Sequence, residues 1–271
     1  MKVYTIGGSR NIGYHASLRL LHKGATVTFL LRNPSCFDED EAIQGFVKQG
    51  RVRTVKGDAL VKEDVRRGWE VAGQNVPGSS SDADGQVDVL LFTVGGTPTF
   101  SLTCGFLISP PDLCSHSLIN TLSTMPRTST LPRIVAVTST GLTPENTSTL
   151  PLAMRVFYRV LHSPHKDKQG AERILARALG NPESEEHILP EDWDQTEGLP
   201  GKGELKRVVV VRPALLTDGE CKEKYRIKAE GDLAVKGGYT VSRKDVAHFI
   251  AERLLGAEWD ALEGKGVNVA Y

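Results

Sequence analysis

Apolar positions in this chain follow two alternating patterns: short unbroken blocks, and longer stretches with helical spacing. An unbroken block bounded by turn residues predicts a buried strand, and a 3.6-residue period predicts an amphipathic helix. Lys2–Ile6 is the first block. Ile12, Ala16, Leu18, Leu20 and Leu21 follow with helical spacing, stopping at Lys23-Gly24. Ala25–Leu31 is the second block and ends on Arg32. Further strands are expected at Val52–Val55, Val87–Val94, Arg133–Thr138, Arg207–Val211 and Gly266–Tyr271. Helices are expected near Asp38–Lys48, Lys62–Ala72, Asp112–Leu122, Leu150–Leu161 and Lys168–Leu179, the last two separated by His162-Ser163-Pro164-His165. Ser242 predicts an N-cap for a helix running through Leu255.

Strands alternating with helices predict an α/β fold: a Rossmann-like, doubly wound parallel sheet of about six or seven strands. Pro77–Gly85 reads as a solvent loop and 180–206, polar and turn-rich, as a surface insertion. Lys222-Glu223-Lys224-Tyr225-Arg226, mixed in charge, reads as solvated surface. The chain of 271 residues suits a single domain, 1–271, with elements after Thr217 forming a small C-terminal substrate lobe.

Charge and cysteine content narrow the functional classes. Lys plus Arg and Asp plus Glu each number 33, giving zero formal net charge. That balance argues against direct nucleic-acid binding. No apolar run reaches the roughly 18–20 residues of a membrane span. The first strand is expected within two residues of Met1, so no signal peptide is expected. Cys36, Cys104, Cys114 and Cys221 are scattered, without a Cys-x-x-Cys pair or a His cluster. They read as reduced cytoplasmic thiols, with Cys104 and Cys114 small and buried, and no metal site is expected.

The first strand runs straight into Gly7-Gly8-Ser9-Arg10-Asn11-Ile12-Gly13. A strand, a glycine-rich turn, a helix and a second strand make the opening unit of a dinucleotide-binding fold. Its glycines let the backbone approach a pyrophosphate, and the helix start presents unpaired N–H groups at the positive end of its dipole. A site for NAD places a carboxylate near the end of the second strand, to bond the ribose 2′-hydroxyl. Here Arg32-Asn33 stand there, with Arg10 in the neighbouring loop. Two guanidinium groups suit a 2′-phosphate, so NADP(H) is expected over NAD(H).

The order of these motifs resembles the short-chain dehydrogenase/reductase superfamily, in its atypical branch of NmrA-like proteins and biliverdin/flavin reductases. The resemblance rests on Gly7–Gly13, Leu31–Pro34, Gly57-Asp58, Gly95-Gly96, Thr138–Gly141, Lys168…Glu172, Arg212-Pro213-Ala214 and Val241–Ala247, and spans nearly the whole chain. Against the pattern GxxxGxG, Gly7 and Gly13 match and Asn11 replaces the middle glycine. Asn tolerates a left-handed backbone better than other non-glycine residues. The resemblance implies a cofactor site in which Ser9 and Ile12 complete the loop. Asp58 with Ala59 would read the adenine edge, and Val94, Gly95 and Gly96 would line adenine and ribose. Lys168 would reach the nicotinamide ribose, with Pro213 and Ala214 near the nicotinamide.

The resemblance also implies a Ser that orients the substrate, matched by Ser139, and a Tyr-x-x-x-Lys proton donor, which is not present. Placing Lys168…Glu172 in register puts Pro164 where the Tyr would stand. The alternative His162-x-x-x-Lys166 puts an imidazole there, and Tyr158, His162 and His165 are the other candidates. Three functions stay open. One is an NADP(H)-dependent reductase passing hydride to a small carbonyl, flavin or quinone. Another is a nucleotide-sensing protein with a protein partner. The third is a non-redox enzyme, such as an isomerase, on the same fold.

Overall fold

A strand with apolar residues on both faces is stable only where helices cover both sides of its sheet. In the computed structural model, which describes residues 1–75, 85–96, 99–101, 105–128, 130–140, 162–183, 189–229 and 235–271, that is where the apolar blocks lie. The strands are β1 (Lys2–Ile6), β2 (Thr26–Leu31), β3 (Val52–Lys56), β4 (Val89–Phe92), β5 (Thr99–Ser101) and β6 (Gly105–Leu107). They continue with β7 (Arg133–Val137), β8 (Val208–Pro213), β9 (Leu215–Thr217), β10 (Arg226–Ala229), β11 (Thr240–Ser242) and β12 (Gly266–Ala270). The helices are α1 (Asn11–His22), α2 (Glu41–Lys48), α3 (Lys62–Gly73), α4 (Leu113–Ser123), α5 (His162–Leu179), α6 (Arg243–His248) and α7 (Trp259–Leu262). α6 continues into a wider π-helical turn, Phe249–Leu254.

Eight strands form the main sheet, in the order β10-β12-β8-β7-β4-β1-β2-β3. Every neighbouring pair is parallel except β10 with β12. The chain lays down β2 and β3 on one side of β1, then crosses to place β4 on the other. Successive side chains of β1 serve opposite layers. Val3 joins the core under α1, α2 and α6, while Tyr4 and Ile6 join the core under α3, α4 and α5. In the first layer Ile12, Ala16, Leu20 and Leu21 turn one face of α1 to the sheet. In the second, Tyr4 packs edge-on to Trp69 with ring centres 4.8 Å apart. The Trp69 ring N–H donates to the Thr121 carbonyl at 3.1 Å.

Several expectations are corrected. The sheet has eight strands rather than about six or seven, because Arg226–Ala229 adds an antiparallel edge. Its charged residues hide the strand, since an edge strand exposes one face to water. Tyr225, read as solvated surface, is buried against Phe249. Among the described residues α5 spans His162–Leu179, so His162–His165 are helical and continuous with Lys168–Leu179. Within 180–206, Trp193 and Leu205 are buried in the second core. The guanidinium groups of Arg173 and Arg177 lie 5.9 and 5.7 Å from the Trp193 ring, and Arg177 pairs with Asp194 at 2.8 Å. After Thr217 the chain divides: β10 and β12 join the main sheet, while β11 pairs with β9 in a small parallel ribbon. The expected helix at Leu150–Leu161 and loop at Pro77–Gly85 fall mainly outside the described residues. Among the described residues no helix is long and apolar enough to cross a membrane.

Asp245, fully buried in the first turn of α6, ties this C-terminal portion together. Its carboxylate accepts from the backbone N–H groups of Lys222 and Glu223 at 3.0 and 2.7 Å. The Ser242 and Tyr271 hydroxyls donate to it at 2.8 and 2.6 Å. Burial alone would raise its pKa. The hydrogen bonds from Tyr271, Lys222, Glu223 and Ser242 outweigh burial and hold it below the ordinary carboxylate value. A depressed folded-state pKa contributes stability that is present above the unfolded pKa and lost as pH falls through the folded one. Asp245→Asn is therefore expected to cost about 2–3 kcal/mol near neutral pH. It should also flatten the loss of stability on acidification below about pH 4, the ordinary aspartate range. Urea unfolding of both proteins across pH checks it; parallel acid limbs would refute the assignment.

Candidate functional site

The strand order reverses at β1, so the loops leaving β1 and β4 diverge and open a crevice at the carboxyl edge of the sheet. A cavity of about 660 Å³ occupies it, within the range of small-molecule sites. Its floor depends on close approach of two backbones. A Cβ on Gly7, whose φ is +87°, would lie 2.6 Å from the Thr93 carbonyl carbon and 2.7 Å from the Val94 nitrogen. A Cβ on Gly13 would strike the Thr93 hydroxyl and lie 2.7 Å from the Gly7 carbonyl oxygen. The Thr93 hydroxyl donates to the Gly7 carbonyl at 3.0 Å and closes the turn. Asn11 has φ of +57°, the left-handed conformation expected from its place in the glycine pattern.

Two helices start at this edge and differ in how their first N–H groups are satisfied. α4 is closed by Asp167, a buried residue of α5. Its carboxylate accepts from the N–H groups of Cys114 and Ser115 at 2.7 and 2.9 Å and from the Ser115 hydroxyl at 2.8 Å. α1 has Arg10 at its N-cap, which makes no side-chain capping bond. Asn11, Ile12 and Gly13 line the cavity there. One helix thus carries its own anion, and the other presents its N–H groups and positive dipole end to the cavity.

Gly7, Ser9 and Arg10 continue the wall from this loop, and Arg32 stands on it where β2 ends. Asp58 and Ala59 follow β3. The Asp58 N–H donates to the Asp64 carboxylate at 2.9 Å, and its own carboxylate accepts from the Leu60 N–H at 3.0 Å. Val94, Gly95 and Gly96 follow β4, and Pro213 and Ala214 follow β8. Every residue expected to contact the cofactor is among those lining this cavity. Among the described lining residues Arg10, Arg32, Lys168 and Arg243 are cationic and Asp58 alone carries a carboxylate.

α5 braces the far end. Lys168 donates to the Val137 carbonyl at 3.2 Å. One turn on, the Glu172 carboxylate takes both arms of Arg212 at 2.9 and 2.8 Å and the Thr138 hydroxyl at 2.5 Å. Glu172 thereby ties β7 to β8, the two strands whose ends carry Ser139 and Pro213. Ser139, half-buried, lies on the cavity wall with its hydroxyl donating to the Thr140 carbonyl at 3.2 Å. His165, one turn before Lys168, also lines the wall. Tyr158 and Cys104 lie outside the described residues. His162 opens α5, with its side chain outside them.

Thr93, Cys36, Leu215, Leu216 and Arg243 lie on the wall without having been singled out for the site. Thr93 was readable as the residue leaving an apolar strand. Arg243 falls within the Val241–Ala247 motif, but nothing local ties it to a cavity whose glycine-rich loop is more than two hundred residues away. Cys114 is the buried thiol its surroundings suggested. Its S–H donates to the Val94 carbonyl at 3.2 Å, and burial pushes its pKa up to about 12. Among the described residues no cluster of His, Cys, Asp and Glu is suited to hold a metal ion.

No family model matches the chain. A curated relative, the reductase pytE of Aspergillus terreus, is 29% identical over 202 residues, 70% of this chain and 69% of its own length. Among solved structures the chain is similar to ChuY, an anaerobillin reductase of Escherichia coli O157:H7. The TM-score is 0.60 and the identity 18%, over 99% of this chain and 96% of that one. It is also similar to a short-chain dehydrogenase/reductase of Veillonella parvula in complex with NADP. There the TM-score is 0.59 and the identity 13%, over 99% and 94% of the two chains. The fold is the Rossmann-like α/β fold of these proteins.

The contact between β1 and β4 yields a direct check. Gly7→Ala is expected to destabilise the protein by about 2–4 kcal/mol, because both the positive φ and the touching backbones refuse a methyl group. Asn11→Gly, which relieves the left-handed residue without adding an atom, should be neutral or stabilising within about 1 kcal/mol. Thermal unfolding of the two variants tests this, and equal effects would contradict the geometry.

Proposed function

We infer that this protein is an NADP(H)-dependent reductase acting on a small carbonyl, flavin or quinone-like acceptor. The observation that carries the reading is the pairing of an open helix start at α1 with Arg10 and Arg32 on the same wall, and no carboxylate where β2 ends. A diphosphate fits the Gly7–Gly13 cradle, because glycines stand where any Cβ would collide. A 2′-phosphate fits the two guanidinium groups, which offer bidentate, charge-assisted bonds. The reductase names of the Aspergillus and Escherichia relatives, and the NADP held by the Veillonella protein, point the same way.

A bound nicotinamide dinucleotide supplies hydride to the acceptor. The chain's own residues do the rest. The α1 N–H groups and Arg10 hold phosphate, Arg32 selects the 2′-phosphate, and Asp58 and Ala59 receive adenine. Lys168, anchored on Val137, is placed for the ribose next to the nicotinamide. Ser139 orients the acceptor oxygen, and His165 on the same wall delivers its proton, as an imidazole can near neutral pH. The site belongs to a reducing, cytoplasmic setting, in keeping with free thiols at Cys36, Cys114 and Cys221.

Titration with NADPH and NADH, followed by a panel of flavin, quinone and carbonyl acceptors, tests the reading. NADPH should bind at least about tenfold more tightly than NADH, and Arg32→Glu should remove that preference without abolishing NADH binding. An unchanged ratio in the variant would refute the selectivity argument. His165→Gln should lower kcat by about a hundredfold and remove one limb of its pH profile, with NADPH affinity retained. Tight binding without turnover of any acceptor would favour a nucleotide sensor instead.

A further inference from the structure

Arg243 is the cavity-wall cation that this reading leaves without a task. Its position is set from two directions. β11 pairs with β9 in the register Leu216↔Val241 and Thr217↔Ser242, so Arg243 follows directly beside the strand that leaves Ala214. On the other side, α6 runs along α1. The Lys23 ammonium near the end of α1 donates to the Ala251 carbonyl at 2.9 Å, and Arg19 pairs with Glu252 at 3.5 Å. The later turns of the two helices meet, so they run parallel and their first residues share the edge that carries the Gly7–Gly13 loop. Arg243 and Asn11 both line the cavity there.

The backbone at Arg243 is held firmly, because Ser242 and Asp245 on either side are buried and hydrogen-bonded to each other. Its guanidinium is held lightly. It is 25% exposed and pairs at 2.7 Å with Asp218, whose side chain is 87% exposed. An ion pair with so exposed a carboxylate contributes little and exchanges readily for a better acceptor. A diphosphate over the start of α1 is such an acceptor, since its oxygens match the planar fork of a guanidinium. Arg32 follows β2, on the opposite side of β1 from β8, the strand that leads into Ala214 and β9. Arg243 therefore belongs to the diphosphate side of the cavity and not to the 2′-phosphate.

The geometry points to Arg243 as a diphosphate-binding residue that leaves Asp218 when a dinucleotide binds and closes over it opposite the Gly7–Gly13 loop. This rests on the dinucleotide reading above. It assigns Asp218 the role of a competing counter-ion, and the two variants then shift affinity in opposite directions.

The test is calorimetric titration of the wild type, Arg243→Gln and Asp218→Asn with NADPH, NADH and adenosine 2′-monophosphate, which lacks the diphosphate. Arg243→Gln should weaken NADPH and NADH alike, by about tenfold each, and leave the monophosphate within about twofold. Asp218→Asn should tighten both dinucleotides by about two- to threefold. Unchanged dinucleotide affinity in Arg243→Gln would overturn the assignment. So would weakening by Asp218→Asn, which would make the pair a structural latch. A wild type that binds none of the three would remove the dinucleotide reading itself, whereas a binding wild type with indifferent variants would remove only the role of Arg243.

Discussion

The contact between the chain leaving β1 and the chain leaving β4 is the constraint on which the site depends. Gly7 touches the backbone of Thr93 and Val94 so closely that no side chain fits, and Thr93 fastens the turn through the Gly7 carbonyl. Gly13 brings the first turn of α1 down onto the same point. The reversal of strand order at β1 requires these two exits to diverge just above that contact. A cavity therefore opens where α1 begins, and the helix start becomes one of its walls.

Electrostatics then separates two helix starts of similar position. Asp167 reaches from α5 and saturates the first N–H groups of α4, so that end is neutralised from within the protein. The Arg10 side chain makes no capping bond to α1, whose start faces a wall with more cations than carboxylates. A wall of that charge favours an anion over a cation, in keeping with the phosphate site proposed at the start of α1. Glu172 performs the complementary task by keeping Arg212 and Thr138 bound. Arg212, close to the cavity but absent from its wall, is thereby engaged as a brace between β7 and β8.

Much of the fold was legible because parallel strands covered on both faces leave a plain mark. The blocks at Lys2–Ile6, Val87–Val94 and Arg207–Val211 were found from apolar runs alone, and the helix after Ser242 from its cap. The errors have separate physical origins. Arg226–Ala229 is an edge strand, so its exposed face carries the charge of a surface loop. His162–His165 contains Pro164, whose usual reading as a helix breaker concealed that the segment is helical. Trp193 sits in a polar, turn-rich segment, and only its packing into the second core, beside Arg173 and Arg177, buries it.

By itself the sequence determined the succession of strands and helices, the glycine-rich turn with Asn11 in a left-handed conformation, and the cationic end of β2. Those features are local, and backbone sterics and side-chain periodicity act within a few residues. Tertiary structure decided what distance along the chain conceals. It brought Thr93 beneath Gly7, Asp167 onto α4, Glu172 onto Arg212 and Arg243 to the cavity that the Gly7–Gly13 loop also lines. Each of these joins residues tens to hundreds of positions apart, through hydrogen bonds, ion pairs and packing that exist only once the sheet has assembled and its strand order has reversed.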